Sequence, residues 1–207
     1  MLQYGTVNKG TLGLLKELMT MPELKDFFLV GGTALALRLG HRFSIDLDLF
    51  TLEEFDSESL LTDIKAEFAV TEVEKSKNTL NLSIEFPKNS ANNVKIDLIR
   101  YAYPLLKPVA EIDGIRLLEI EDIIPMKLSA VAVRGSKKDF YDIYFLLKQY
   151  TLDEMFGFFD RKFDNMNKFH IIKSLTYFDD ADKETDPKTT EKITWKKIKQ
   201  AILREVK

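Results

Sequence analysis

The stretch Phe28-Leu29-Val30-Gly31-Gly32-Thr33-Ala34-Leu35-Ala36-Leu37-Arg38-Leu39-Gly40-His41-Arg42-Phe43-Ser44-Ile45-Asp46-Leu47-Asp48-Leu49-Phe50 decides how this chain is read. An apolar run over Phe27–Val30 predicts a short buried strand that ends at Gly31-Gly32. Thr33–Leu39 then has the spacing of a short helix, with Gly40 placed as its C-terminal cap. Beyond it Ile45, Leu47 and Leu49 alternate with Asp46, Asp48 and Phe50, the period of a half-buried strand. That period puts both carboxylates on one side of the strand.

This order sets a flexible backbone turn beside two acidic side chains. Glycines let main-chain amides come close to phosphate oxygens, and a helix opening at Thr33 favours anions at its N-terminus. Alone, the turn reads equally as an ordinary strand-to-helix connection, and the Asp-x-Asp as a solvated strand face. Aspartate is depleted from strands, however, so two on one side of an apolar strand ask for a reason. Lys95-Ile96-Asp97-Leu98-Ile99 carries a third Asp in another strongly apolar stretch. If the two strands are neighbours, Asp46, Asp48 and Asp97 form a cluster whose mutual repulsion a cation offsets. Such a site suits Mg²⁺ or Mn²⁺ and a nucleoside triphosphate.

Around this stretch the chain has the make-up of a folded globular protein. It holds 207 residues, 45% of them hydrophobic, which is enough for a substantial core. No run reaches the length of a membrane span, and residues 1–6 lack the basic and apolar regions of a secretory signal. With no cysteine and only His41 and His170, thiolate and zinc chemistry are set aside. The expected location is the cytoplasm. A net charge of −3 makes no global case for nucleic acid, so any such contact must come from local patches.

The remaining pattern is α+β. Lys9–Met19 predicts a helix, as does Ser57–Phe68 with Asp56 or Ser57 as its cap. Val70–Val73, Thr79–Phe86 and Val94–Tyr101 predict strands, the last two joined as a hairpin through residues 87–93. Leu105–Leu118 has no clear period, with a turn at Gly114. From Glu119 on, Glu121–Val133, Lys137–Gln149, Leu152–Phe159, Asn167–Leu175 and Thr194–Val206 all predict helices. The expected organisation is a mixed-sheet domain over residues 1–118 with flanking helices, then a helical domain over 119–207. The Phe156–Phe169 aromatics and the lysine-rich helix around Trp195 read as core and as a solvated face respectively.

A Gly-Gly-Thr turn, a short helix, Asp-x-Asp on the next strand and a later third Asp resemble the DNA polymerase β-like nucleotidyltransferase superfamily. Val30–Leu37 and Gly40–Phe50 are similar to one branch of it, the AbiEii/AbiGii toxins of abortive-infection and toxin–antitoxin systems. The similarity extends to Pro125–Ala130 with Arg134, to Lys138–Leu147, to Lys173–Ala181 and to the Trp195 helix. The resemblance implies that Gly31, Gly32 and Thr33 bind the triphosphate and that Asp46 and Asp48 bind the metal. It gives Asp97 the third carboxylate position, as general base, and Lys127 a contact with the phosphates. Asp139 or Asp142 matches a later acidic motif, with Asp139 favoured because Phe140, Ile143, Tyr144 and Leu147 mark the buried side. Arg42 and His41 either follow a helix C-terminus for its dipole or reach the nucleotide. The implied activity moves a nucleoside monophosphate from an NTP to an acceptor hydroxyl, possibly the 3′ end of a tRNA or other RNA. The implied partner is a cognate antitoxin that regulates transcription. The alternatives are a catalytically inactive nucleotide- or partner-binding homologue, and a small-molecule, antibiotic-type nucleotidyltransferase.

Overall fold

The period-2 runs and the amphipathic runs both find partners across the chain. The structure, a computed structural model, describes residues 1–88, 92–164 and 167–207. Seven strands form one mixed sheet: β1 (Phe28–Val30), β2 (Leu47–Thr51), β3 (Ala69–Ser76), β4 (Thr79–Glu85), β5 (Asn93–Arg100), β6 (Ala110–Ile112) and β7 (Ile115–Leu117). Their order is β3-β4-β5-β2-β1-β7-β6. The helices are α1 (Lys9–Thr20), α2 (Gly31–Leu39), α3 (Ser57–Glu67), α4 (Ile120–Val133), α5 (Lys137–Leu146), α6 (Leu152–Lys162), α7 (Phe169–Leu175) and α8 (Trp195–Glu205).

Local chemistry explains several boundaries. Asn8 accepts from the Thr11 amide to start α1, and Asp56 accepts from Glu58 and Ser59 to start α3. Thr151 and Glu154 close a capping box on α6. Gly40 ends α2 in the left-handed region, at φ +69°, as its position predicts. The stretch without a clear period holds two short strands, β6 and β7. Asp113 and Gly114, both at positive φ, turn between them. In the hairpin that joins β4 to β5, residues 89–91 lie outside the described residues.

Register decides what the sheet presents. β2 pairs in parallel with β5, Asp48 opposite Asp97, and β5 pairs antiparallel with β4, Asp97 opposite Asn81. Leu47, Leu49, Ile96, Leu98, Leu80 and Leu82 therefore share one fully buried face. The other face carries Asp48, Phe50, Asp97, Ile99, Thr79 and Asn81, all half-buried. One expectation fails here. The strand begins at Leu47, not Ile45, and Ile45 is 63% exposed. Residues 44–46 are drawn out of the strand by Thr33, whose buried hydroxyl meets Ser44 Oγ at 2.8 Å and also the carbonyl of Asp46.

Buried apolar residues from Leu2 to Ile202 form one continuous cluster, so the sheet and the later helices share a core. Two cations reinforce the joins. Arg116 donates to the carbonyls of Phe27, Met19 and Leu24 at 2.9–3.0 Å, fastening β7 to the segment before β1. Lys162 donates to Asp122 at 2.6 Å and to the Pro104 carbonyl at 2.9 Å. Asp122 also accepts from the Leu106 and Lys107 amides, so the linker leaving the sheet is clamped to α4 and α6. Both side chains of this pair are wholly buried. Lys162→Met strands a buried carboxylate, and a loss of about 3–5 kcal/mol is expected in chemical denaturation. Adding Asp122→Asn should restore part of it.

Candidate active site

The close approach at Gly31 builds the first part of the site. Its φ is +67°, and a Cβ there would lie 2.1 Å from Asp48 Oδ2. Gly32 is crowded too, because its Cβ would lie 2.5 Å from Arg42 Nη2. The glycine pair thus leaves room for an acidic side chain and a guanidinium as well as exposing backbone at the start of α2. Thr33, expected at the triphosphate, is buried, and its hydroxyl is spent on Ser44 and Asp46. It shapes the loop that presents Asp46.

The carboxylates come together as the strand pattern anticipates, through the parallel β2–β5 pairing of Asp48 with Asp97. Burial pushes the Asp48 carboxyl above its ordinary range; Lys127 opposes that rise, while the charges of Asp97 and Asp46 add to it. Asp97 Oδ2 accepts from Lys95 Nζ at 3.0 Å, and its Oδ1 is buried with no hydrogen-bond partner among the described residues. An orphaned carboxylate oxygen next to a second carboxylate is a donor set that suits a hard cation. No three Asp, Glu or His side chains among the described residues are spaced to hold a metal by themselves. The expected three-carboxylate cluster is therefore not a ready-made cage. Mg²⁺ commonly takes one or two carboxylates and completes its shell from substrate phosphates and water. Asn81, opposite Asp97 across the hairpin, also has a buried, unpartnered Oδ1. The alternation of Thr79, Asn81 and Ser83 with leucines and isoleucine was the signal for it, but only the register places it beside Asp97.

A buried charge network fixes the other side. Asp142 accepts from Arg42 Nε at 2.6 Å and Nη2 at 2.9 Å, and lies 2.7 Å from both His41 Nε2 and Lys127 Nζ. Asp139 takes Arg134 in a two-point contact of 2.7 and 2.8 Å and Lys127 Nζ at 3.3 Å. Both carboxylates are completely buried. Arg42, expected at the nucleotide, is buried too: Asp142 and the Phe43 carbonyl occupy its guanidinium. The expected choice between Asp139 and Asp142 dissolves, because α5 is buried on nearly every side and both aspartates lie inside. Burial works against the Asp142 charge, but Arg42, Lys127 and the His41 contact together hold it well below the usual carboxylate range. Burial lowers His41, only partly countered by Asp142.

Turn, strand carboxylates and helix lysine are thus assembled in one place. The family described as "Nucleotidyl transferase AbiEii toxin, Type IV TA system" matches residues 13–207.

This chain belongs to the AbiEii nucleotidyltransferase toxin family.

An uncharacterised protein of Aquifex aeolicus is 38% identical over 201 residues, covering 93% of this chain and 92% of that one. Among solved structures, JHP933 of Helicobacter pylori superposes with a TM-score of 0.61 at 20% identity, covering 97% of this chain and 91% of that one. MenT4, a nucleotidyltransferase toxin of Mycobacterium tuberculosis, gives a TM-score of 0.56 at 14% identity over 96% and 86%. These structures share the fold. The AbiEii resemblance read from the motifs is borne out, and the chain is a nucleotidyltransferase of a toxin–antitoxin family.

Two predictions follow from this AbiEii-type geometry. Gly31→Ala forces Asp48 aside, and nucleotidyl transfer should fall about 100-fold while the thermal unfolding curve stays cooperative. Asp142→Asn should cost about 3 kcal/mol or more at pH 7, read by denaturant titration. Because the folded-state value of Asp142 is depressed, its contribution is present above about pH 4 and is lost as the pH falls below that. The gap between wild type and Asp142→Asn should therefore narrow with acid below pH 4.

Proposed function

We propose that this chain is a Mg²⁺-dependent (or Mn²⁺-dependent) nucleotidyltransferase that moves a nucleoside monophosphate from an NTP to a hydroxyl of RNA. The tRNA 3′ end is a suitable acceptor, and the cognate antitoxin is a transcriptional regulator. The observation that carries the reading is the parallel pairing of Asp48 with Asp97, with Asp46 at the entry to β2 and Lys127 held on the same site.

Asp46, Asp48 and Asp97 are the side chains that would hold the metal, which supplies neutralisation of the reacting phosphates and lowers the pKa of the attacking hydroxyl. The amides opening α2 at Gly31 and Gly32 face the anionic donor. Asp97, with a free oxygen, accepts the proton of the attacking hydroxyl. The acceptor's hydroxyl oxygen bonds to the α-phosphorus as the bond to the β-phosphate oxygen breaks, and pyrophosphate leaves with the electron pair. Lys127 brings positive charge to the phosphates from a position fixed by Asp139 and Asp142. At the rim, Arg134 is 54% exposed and Lys95 58% exposed, and both present charge to a polyanionic acceptor.

Among the described residues, no helix is long and apolar enough to cross a membrane. Incubation with each of four α-labelled NTPs and total cellular RNA should transfer label to RNA. Asp48→Asn and Asp97→Asn should each reduce that transfer at least about 100-fold without loss of folding. Undiminished transfer in either variant overturns the mechanism.

A further inference from the structure

The half-buried sheet face continues past the carboxylates. Asp97, Ile99 and Tyr101 alternate along one strand direction, so Tyr101 lies on the face of Asp97 about 13 Å further on, at about 3.3 Å per residue. Phe50 stands two residues beyond Asp48 on that face, and its ring is 5.4 Å from Tyr101. The face therefore runs from two carboxylates into aromatic surface, over a span comparable with an extended nucleoside phosphate.

At that end lies a cavity of about 260 Å³. One wall is aromatic: Tyr101 and Tyr103 are 5.1 Å apart, and Tyr103 meets Phe163 edge-on at 4.8 Å. The opposite wall is α4, through Met126, Ser129 and Val133. The same helix delivers Lys127 to Asp139 and Asp142, so a single rigid element borders both the charged site and the cavity. Tyr103 is 45% exposed and Val133 is 84% exposed, unusual for large apolar side chains beside a well-packed core.

The polar atoms at this cavity are few. Tyr101 is 9% exposed, and its Oη is buried without a hydrogen-bond partner among the described residues. A buried, unbonded phenol is costly unless something supplies its partner. Tyr101 is also held in place: Lys162, anchored on Asp122 and Pro104, sits 5.0 Å above its ring. Burial raises the Tyr101 phenol above its ordinary value, so it stays a proton donor. Ser129 adds a hydroxyl on the facing wall.

We propose that the cavity between Tyr101, Tyr103, Phe163 and α4 receives the base of the donor nucleotide. Tyr103 is the stacking surface, and Ser129 Oγ bonds the heterocycle edge. The assignment rests on the NTP-dependent reading of the carboxylate site. The volume suits a flat heterocycle better than a peptide or a whole cofactor. Shared sheet face, shared helix, an aromatic wall and the Ser129 hydroxyl select a base over a purely apolar guest.

Titration calorimetry on the full chain with Mg²⁺ tests this, using each of four NTPs and inorganic triphosphate as probes. Triphosphate reports the phosphate side alone. Tyr103→Ala should weaken NTP binding about tenfold or more and leave triphosphate binding unchanged, whereas Tyr103→Phe should keep wild-type affinity. Ser129→Ala should change the ranking of the four NTPs. Equal NTP affinity in wild type and Tyr103→Ala, with triphosphate still bound, overturns the base pocket and leaves the NTP reading standing. A parallel loss of NTP and triphosphate binding in Tyr103→Ala also overturns it, because the residue then supports the site as a whole. A defect confined to KM for acceptor RNA overturns the assignment to the donor. Failure of wild type to bind either probe overturns the NTP reading, and the pocket with it.

Discussion

Everything around the site hangs on one buried carboxylate. Asp142 is removed from water and still charged, because Arg42 and His41 reach it from the turn after α2 and Lys127 reaches it from α4. Buried ion pairs contribute little net stability once desolvation is counted, but removing one member leaves the others stranded. The network therefore acts chiefly on geometry. It ties the turn after α2 and the middle of α4 to α5. The turn before β2, the lysine on α4 and the sheet are held in one frame as a result. Asp139 extends the frame to Arg134, whose outer side is open to solvent.

That frame also explains the two glycines. Sequence reasoning took Gly31-Gly32 as a place where backbone meets phosphate. The structure adds a steric requirement from inside the protein: Asp48 occupies the space of one absent Cβ, and Arg42 that of the other. The strand carboxylate and the buried network are thus packed against the same turn.

Much of this was legible beforehand. The helix at Lys9 and the Gly40 cap follow from local spacing, Asp56 was one of two candidate caps, and strand alternation put Asp48 and Asp97 on strands that had to be neighbours to meet, as they are. What failed depended on contacts between distant segments. Ile45 continued the alternation but is pulled out of the strand by Thr33, and a side-chain hydrogen bond overrode the pattern. Asp139 and Asp142 looked like alternatives because a helix was assumed to have one wet side. α5 has almost none, so both are inside and paired. Lys162 and Asp122 find each other across 40 residues, and nothing local in the sequence shows it. Asn81 is set beside Asp97 only by the hairpin register.

The clamp on Asp142 also bears on when the chain becomes competent during synthesis. Its partners Arg42 and His41 precede it by 100 and 101 residues. A ribosome that has delivered only the first hundred residues has already made the Gly-Gly turn and the carboxylates Asp46, Asp48 and Asp97. It has not made the helix that carries Lys127, nor the aspartate that orients it. Prematurely released fragments hold the acidic half of the site with no organised cation opposite it. For a member of a toxin family, that order of synthesis ties the onset of chemistry to delivery of α5, which carries Asp142 in a chain of 207 residues.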